Sequence, residues 1–190
     1  MEDDQLKELI KRCAEQDRSA QEQLFKLFYG KMMGVCLRYT KDRDRAQEVV
    51  QESFIKIFDK LGDFDFKGSF EGWVRRIMVN ASIDAIRKRN RQPFSTDEEY
   101  VFNDRSTVQE HDFDEDITKI KAEYAMEAIQ ELSPAYRTVF NLFVIENYSH
   151  KEIADILDIT EGTSKSNLAK AKQNLRKILS EKFVNLDHER

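Results

Sequence analysis

Side chains suited to acting on another molecule gather in two stretches of this chain, and both stretches are cationic. Between Arg75 and Arg91, the cations Arg75, Arg76, Arg87, Lys88, Arg89 and Arg91 face a single anion, Asp84. Charge of that density neutralises phosphates and releases their counterions. At helical spacing, Trp73, Arg76, Asn80, Arg87 and Arg91 share one side, so an indole heads a basic ladder. An indole is a stacking platform for a base, and the combination suits partly single-stranded DNA. In the second stretch, Ser166, Lys170, Gln173 and Lys177 stand opposite Leu168, Ala171, Leu175, Ile178 and Leu179, a row of donors and cations without a carboxylate. Gly162 and Thr163, just upstream, let backbone come close to a phosphate.

The second stretch is positioned by a helix-turn-helix pattern. Ser149 and Glu152 form a capping box, Ile153, Ile156 and Leu157 line one face, and Asp158-Ile159-Thr160 is a tight turn. Thr160 caps a new helix opening at Glu161, whose geometry fits a DNA major groove. The first stretch, FEGWVRRIMVNASIDAIRKRNR, is a helix that buries Val74, Met78, Ala81 and Ala85. Upstream of it lie helices over 3–16 and 19–39, the latter with the buried stripe Leu24, Phe28, Met32, Cys36 and Tyr39. Asp42 to Asp44 then caps AQEVVQESFIKIFDKL, with Ala46, Val50, Phe54, Ile57 and Leu61 inward.

Two features of this half admit two readings each. Gln47, Glu48, Gln51 and Glu52 are either a solvated helix face or a docking surface for a basic partner helix. Phe64 and Phe66, in the loop GDFDFKGS, either fold back onto the core or hold an unstacked base.

The bulk numbers narrow the class. The chain has 190 residues, 40% hydrophobic and 35% charged, with two Pro and six Gly, which fits an all-α fold. Its net charge of -5 and pI of about 5.4 make any DNA binding local. Cys13 and Cys36 are isolated and lack metal-ligand spacing with His111, His150 or His188. Without a disulfide framework, a long apolar run or an amino-terminal signal, the expected compartment is the cytoplasm, with no membrane insertion. No nucleophile-base pair, metal cluster or phosphate loop argues for an enzyme, a cofactor or a small-molecule substrate.

From Ser95 to Asp116, nine carboxylates face only Arg105, and little there could build a core. The expected organisation is therefore two small helical domains, 1–92 and 117–182, joined by a flexible acidic linker over 93–116 and followed by a frayed tail over 183–190. In the second domain, Ile117, Ile120, Tyr124, Ala128, Ile129 and Leu132 face inward, and Ser133-Pro134 opens a helix carrying Tyr136, Val139, Phe140, Phe143 and Val144.

Taken together, DRAQEVVQESFIKIF, FEGWVRRIMVNASIDAIRKRNR and LSPAYRTVFNLFVIENYSHKEIADILDITEGTSKS resemble a bacterial sigma-70 family factor of the extracytoplasmic-function group. The resemblance runs from Leu24 to Arg91 and from Ala128 to Leu179. It implies a non-enzymatic initiation factor that binds core RNA polymerase through Gln47, Glu48, Gln51 and Glu52 and carries it to promoter DNA. It implies -10 contacts by Phe64, Phe66, Trp73, Arg76, Asn80, Arg87, Lys88, Arg89 and Arg91, and -35 contacts by Gly162, Thr163, Lys165, Ser166, Asn167 and Lys170. The acidic linker would thread toward the polymerase RNA channel, and an anti-sigma factor is an expected partner. Ser164 stands where an apolar residue is usual and points inward, while Asn167 and Lys170 stand where arginine is common, so an inherited -35 preference does not follow. Two other readings are a sigma-like mimic that sequesters an anti-sigma factor, disfavoured by the Arg87 to Arg91 cluster, and a free-standing repressor, for which no dimerisation element is visible.

Overall fold

The computed structural model describes residues 3–89, 94 and 124–188, with side chains as far as 180. Among these residues every regular element is helical, and the chain divides into two compact units, 1–91 and 92–190. Arg91, the start of the helix carrying Ile117 and Ile120, and the acidic segment 93–116 apart from Phe94 lie outside the described residues.

The first unit contains α1 (Asp3–Ala14), α2 (Arg18–Thr40), α3 (Arg43–Asp59) and α4 (Phe70–Arg89), with a short 3-10 turn over Leu61–Asp63. Helix α2 is central and packs against α1, α3 and α4. Its stripe Leu24, Phe28, Met32, Cys36 and Tyr39 is buried throughout, as are Ala46, Val50, Phe54, Ile57 and Leu61 opposite it. The helix starts are specified locally. Asp17 accepts from the Ser19 and Ala20 amides at 2.9 and 3.2 Å, and Asp42 accepts from Asp44 and Arg45. The Arg12 guanidinium reaches the other Asp17 oxygen at 2.6 Å, and these bonds hold the Asp17 carboxyl below its ordinary value.

The second unit contains α5 (124–131), α6 (Pro134–Phe140), a π-helical stretch over Asn141–Ile145, α7 (His150–Leu157) and α8 (Glu161–His188). Its core joins Ala128, Ile129, Leu132, Ala135 and Tyr136 to Ala171 and Leu175 of α8. Arg137 is buried, and its guanidinium donates to the Gln130 and Leu132 carbonyls at 3.0 and 3.4 Å, closing the free carbonyl end of α5 against α6.

Val144, carried on the π-helical stretch that continues α6, is 43% exposed. The wider π turn inserts one extra residue relative to α spacing and rotates this side chain out, before Asn147 at φ 59 ends the element. Helix α8 continues to His188, and from Thr163 to His188 the sequence contains neither Gly nor Pro to stop it.

The capping box is complete, with the Ser149 amide donating to Glu152 at 2.8 Å and the Glu152 amide donating to Ser149 Oγ at 3.3 Å. Replacing Ser149 with Ala should therefore cost about 1 kcal/mol of second-unit stability, measured by urea unfolding. In the first unit, a carboxyl held low stabilises the fold above its ordinary pKa, and that stability is lost as pH falls through the folded value. Asp17→Asn should accordingly flatten the acid limb of stability, measured by unfolding across a pH series.

Candidate nucleic-acid interface

In the first unit an aromatic cluster leads into the basic helix. Phe64 is buried, with ring centroids 5.2 Å from Phe70, 5.5 Å from Trp73 and 4.9 Å from Phe66. Of the two readings for Phe64, the free chain has it folded onto the core, where it supports the loop. Phe66 is the exposed member at 40%, and its φ of 59 puts a bulky side chain in the left-handed region. Such a conformation is strained and persists where the surroundings impose it. Here Asp65 Oδ1 accepts from the Lys67 amide at 3.1 Å, tightening the turn, and Phe64 props the ring from below. Trp73 is half-buried and stacks on Phe70 at 5.7 Å, leaving part of the indole open.

Beyond Trp73, Arg76, Asn80, Arg87, Lys88 and Arg89 are all exposed along α4. At about 1.5 Å per residue, Trp73 and Arg87 lie about 21 Å apart along the axis, so they suit successive stretches of a strand and not one nucleotide. Glu71 is taken up by Lys31 at 2.6 Å and Arg75 at 3.8 Å, and Asp84 sits 3.5 Å from Arg87. The net positive field of this helix survives both pairings.

In the second unit the helix-turn-helix is built as its residues dictate. Asp158 adopts the left-handed conformation that ends α7, at φ 55, and Thr160 Oγ1 accepts from the Thr163 amide at 3.0 Å. That bond occupies the Thr163 amide, so Thr163 serves the cap and only Gly162 of the pair keeps a backbone free of this cap. Lys165 and Ser166 are exposed and Lys170 is half-buried, as a reading face requires. Asn167 is not on that face. It is fully buried, and its carboxamide donates to the Phe94 carbonyl at 3.4 Å, while its Oδ1 has no partner among the described residues. Asn167 precedes Leu168 at the margin of the buried stripe, and Phe94, itself buried, covers it from far away in sequence.

Ser164 points inward as expected and is fully buried. Its hydroxyl lies 2.9 Å from His150 Nδ1, and the His150 ring stacks on Phe143 at 4.5 Å and 24°. Neither His150 nor Phe94 stood out in the sequence; the signal for His150 was an inward-pointing hydroxyl that needed a partner. The exposed cations Lys172 and Arg176 also extend the charged face of α8, and their residue types alone were enough to find them.

On α3, Gln47, Glu48, Gln51 and Glu52 are all exposed, with Glu48 paired to Arg45. Ile55, three residues beyond Glu52, is 63% exposed on the same side, an apolar addition that the acidic pattern concealed. Among the described residues no three His, Cys, Asp or Glu side chains are placed to hold a metal, and no helix is long and apolar enough to cross a membrane.

The fold and these faces define a two-unit helical protein with an aromatic cluster leading into a basic helix in one unit and a helix-turn-helix in the other. The family signature for Sigma-70 region 2 matches residues 24–92, and that for Sigma-70, region 4 matches residues 122–175. The RNA polymerase sigma-H factor of Pseudomonas aeruginosa is 27% identical over 182 residues, covering 93% of this chain and 94% of that protein. The ECF RNA polymerase sigma factor SigW of Bacillus subtilis is 28% identical over 181 residues, covering 92% and 96%. In fold, the chain is similar to the sigma factor RpoE of Bartonella quintana, solved in complex with the anti-sigma factor NepR, with a TM-score of 0.51 at 21% identity over 84% of this chain and 96% of that one. This chain belongs to the sigma-70 family, in its extracytoplasmic-function group, and is a transcription initiation sigma factor.

The division of labour between the two loop phenylalanines is open to measurement. Phe64→Ala should destabilise the first unit by about 3–5 kcal/mol, as for other buried aromatics, whereas Phe66→Ala should cost less than about 1 kcal/mol in chemical unfolding.

Proposed function

We propose that the chain docks on core RNA polymerase through α3, holds the opened -10 strand along Phe66, Trp73 and the cations of α4, and reads the -35 element with α8. The observation that carries this reading is the clustering of exposed cations without interleaved carboxylates at Arg87, Lys88 and Arg89 of α4 and at Lys172, Arg176 and Lys177 of α8, in a chain of net charge -5. A general polyanion binder would spread its charge, whereas two local faces suit one ligand touched at two places. On α3 the exposed amides and carboxylates around Gln51, with Ile55 among them, suit a basic partner helix with an apolar contact at its centre.

An anti-sigma factor is the expected regulator, by likeness to the complex solved for the Bartonella protein. Polymerase and promoter place the work in the cytoplasm, and the role is one of binding and positioning, without catalysis. A mimic that only sequesters an anti-sigma factor would have no use for exposed Arg87, Lys88 and Arg89.

The test is transcription reconstituted from core polymerase, this chain and genomic DNA. Promoter-specific transcripts are expected, and their absence from a polymerase-bound complex would reject the reading. Changing Arg87, Lys88 and Arg89 together to Ala should lower the salt slope of -10 strand binding by about 2 and leave polymerase affinity intact. Changing Glu48 and Gln51 to Ala should do the reverse, weakening polymerase capture in a pull-down while leaving strand binding by the free chain unaltered.

A further inference from the structure

The reading helix has a polar seat. Ser164, in the first turn of α8, is fully buried, and a buried hydroxyl without a partner is destabilising. Its partner comes from the other helix of the motif: His150, the first residue of α7, places Nδ1 at 2.9 Å from the hydroxyl. The imidazole is not free to turn away, because Phe143 of the π-helical stretch stacks on its face at 4.5 Å. Stacking sets the plane of the ring and the hydrogen bond sets the direction of the hydroxyl. Apolar packing at this point would fill space without choosing an angle, whereas a buried hydrogen bond is directional. Lys165 and Ser166, both exposed, follow Ser164 directly in the helix.

We propose that His150 is a positioning residue for DNA reading: through Ser164 it sets the rotation of the first turn of α8 and so aims Lys165 and Ser166 at the base edges of the -35 element. The proposal rests on the promoter-reading role of α8 given above. It extends that role to a side chain that never touches DNA.

The charges around the ring make the seat sensitive to acid. Lys165 and Lys172 of α8 face the imidazole with like charge, Glu161 of α8 opposes them, and the ring sits at the positive amino end of α7. Burial, the largest cause, together with the two lysines holds the imidazole below its ordinary value of 6.5. A histidine held low binds its proton more readily in the unfolded or unseated state. The seat is therefore intact above the ordinary value and weakens as pH falls toward the folded one.

The experiment uses holoenzyme reconstituted from core polymerase and the full chain. A duplex library randomised across the -35 region yields the enriched sequence, and discrimination is the ratio of affinities for that sequence and a scrambled one. Ser164→Ala and His150→Ala should each reduce discrimination roughly fivefold, and the double variant should lose no more than either single one. His150→Asn, which keeps a hydrogen-bonding group near Nδ1 but does not titrate, should recover part of the loss. Its discrimination should also stay flat between about pH 7.5 and about pH 5.5, where the parent's falls. Melting of the -10 region by the same holoenzyme is the internal control for a folded, polymerase-bound chain, and if His150→Ala fails it, Ser164→Ala and His150→Asn decide. Additive losses, unchanged discrimination in Ser164→Ala, or an acid-dependent fall in His150→Asn equal to the parent's would overturn the proposal. A parent chain that enriches no -35 sequence would overturn the promoter-reading role, and this inference with it.

Discussion

Burial of one narrow stripe of α8 frees the rest of that helix to carry charge. Leu168, Ala171 and Leu175 are its buried apolar residues, the last two seated on α5 and α6, and each large member contributes about 1.5–3 kcal/mol relative to exposure. A helix held along one stripe can place Lys165, Lys172, Arg176 and Lys177 in solvent without weakening its own seat. It also meets its neighbours in succession, α7 near its start and α5 with α6 further along, so its direction is set at two points. The functional face is what remains after that packing is satisfied.

The same logic shapes the first unit with different materials. Val74, Met78 and Ile83 hold α4 against the bundle, and its cations take the solvent side. What the first unit adds is a strained aromatic at the head of that helix. Phe66 keeps its left-handed backbone because Asp65 tightens the turn and Phe64, itself buried against Phe70 and Trp73, leaves the outer ring little room to collapse. An exposed aromatic in such a conformation is costly, and its contact with Phe64, itself packed on two further rings, ties that cost to the local structure. Glu71 is paired with Lys31 and Asp84 with Arg87, so Lys88 and Arg89 keep the end of this helix net positive.

Electrostatics also explains how an acidic protein presents basic faces. Screened charges act over about 10 Å, so a helix end with three adjacent cations presents a local positive field whatever the sum over the chain. In the second unit, burial and the exposed Lys165 and Lys172 depress the His150 imidazole. One cluster of charges thereby favours the neutral form of a neighbouring hydrogen-bonded ring.

Period and caps by themselves determined most of the helical layout. Buried stripes such as Leu24, Phe28, Met32, Cys36 and Tyr39 are local arithmetic, and Ser149 with Glu152 or Thr160 with Thr163 specify helix starts through atoms a turn apart. The cationic faces and the α3 surface were legible for the same reason, since residue type and helical angle suffice to place them on the outside. Tertiary structure decided what depends on partners remote in sequence. It buried Phe64 among Phe70 and Trp73 while leaving Phe66 out, and it took Asn167 off the reading face by setting Phe94 over it. It turned Val144 outward through a π turn that no period of 3.6 predicts, and it gave Ser164 a histidine fourteen residues away. Helical angle assigns a side chain to a face, but whether that face meets water, a ring or another backbone is settled only when the elements pack.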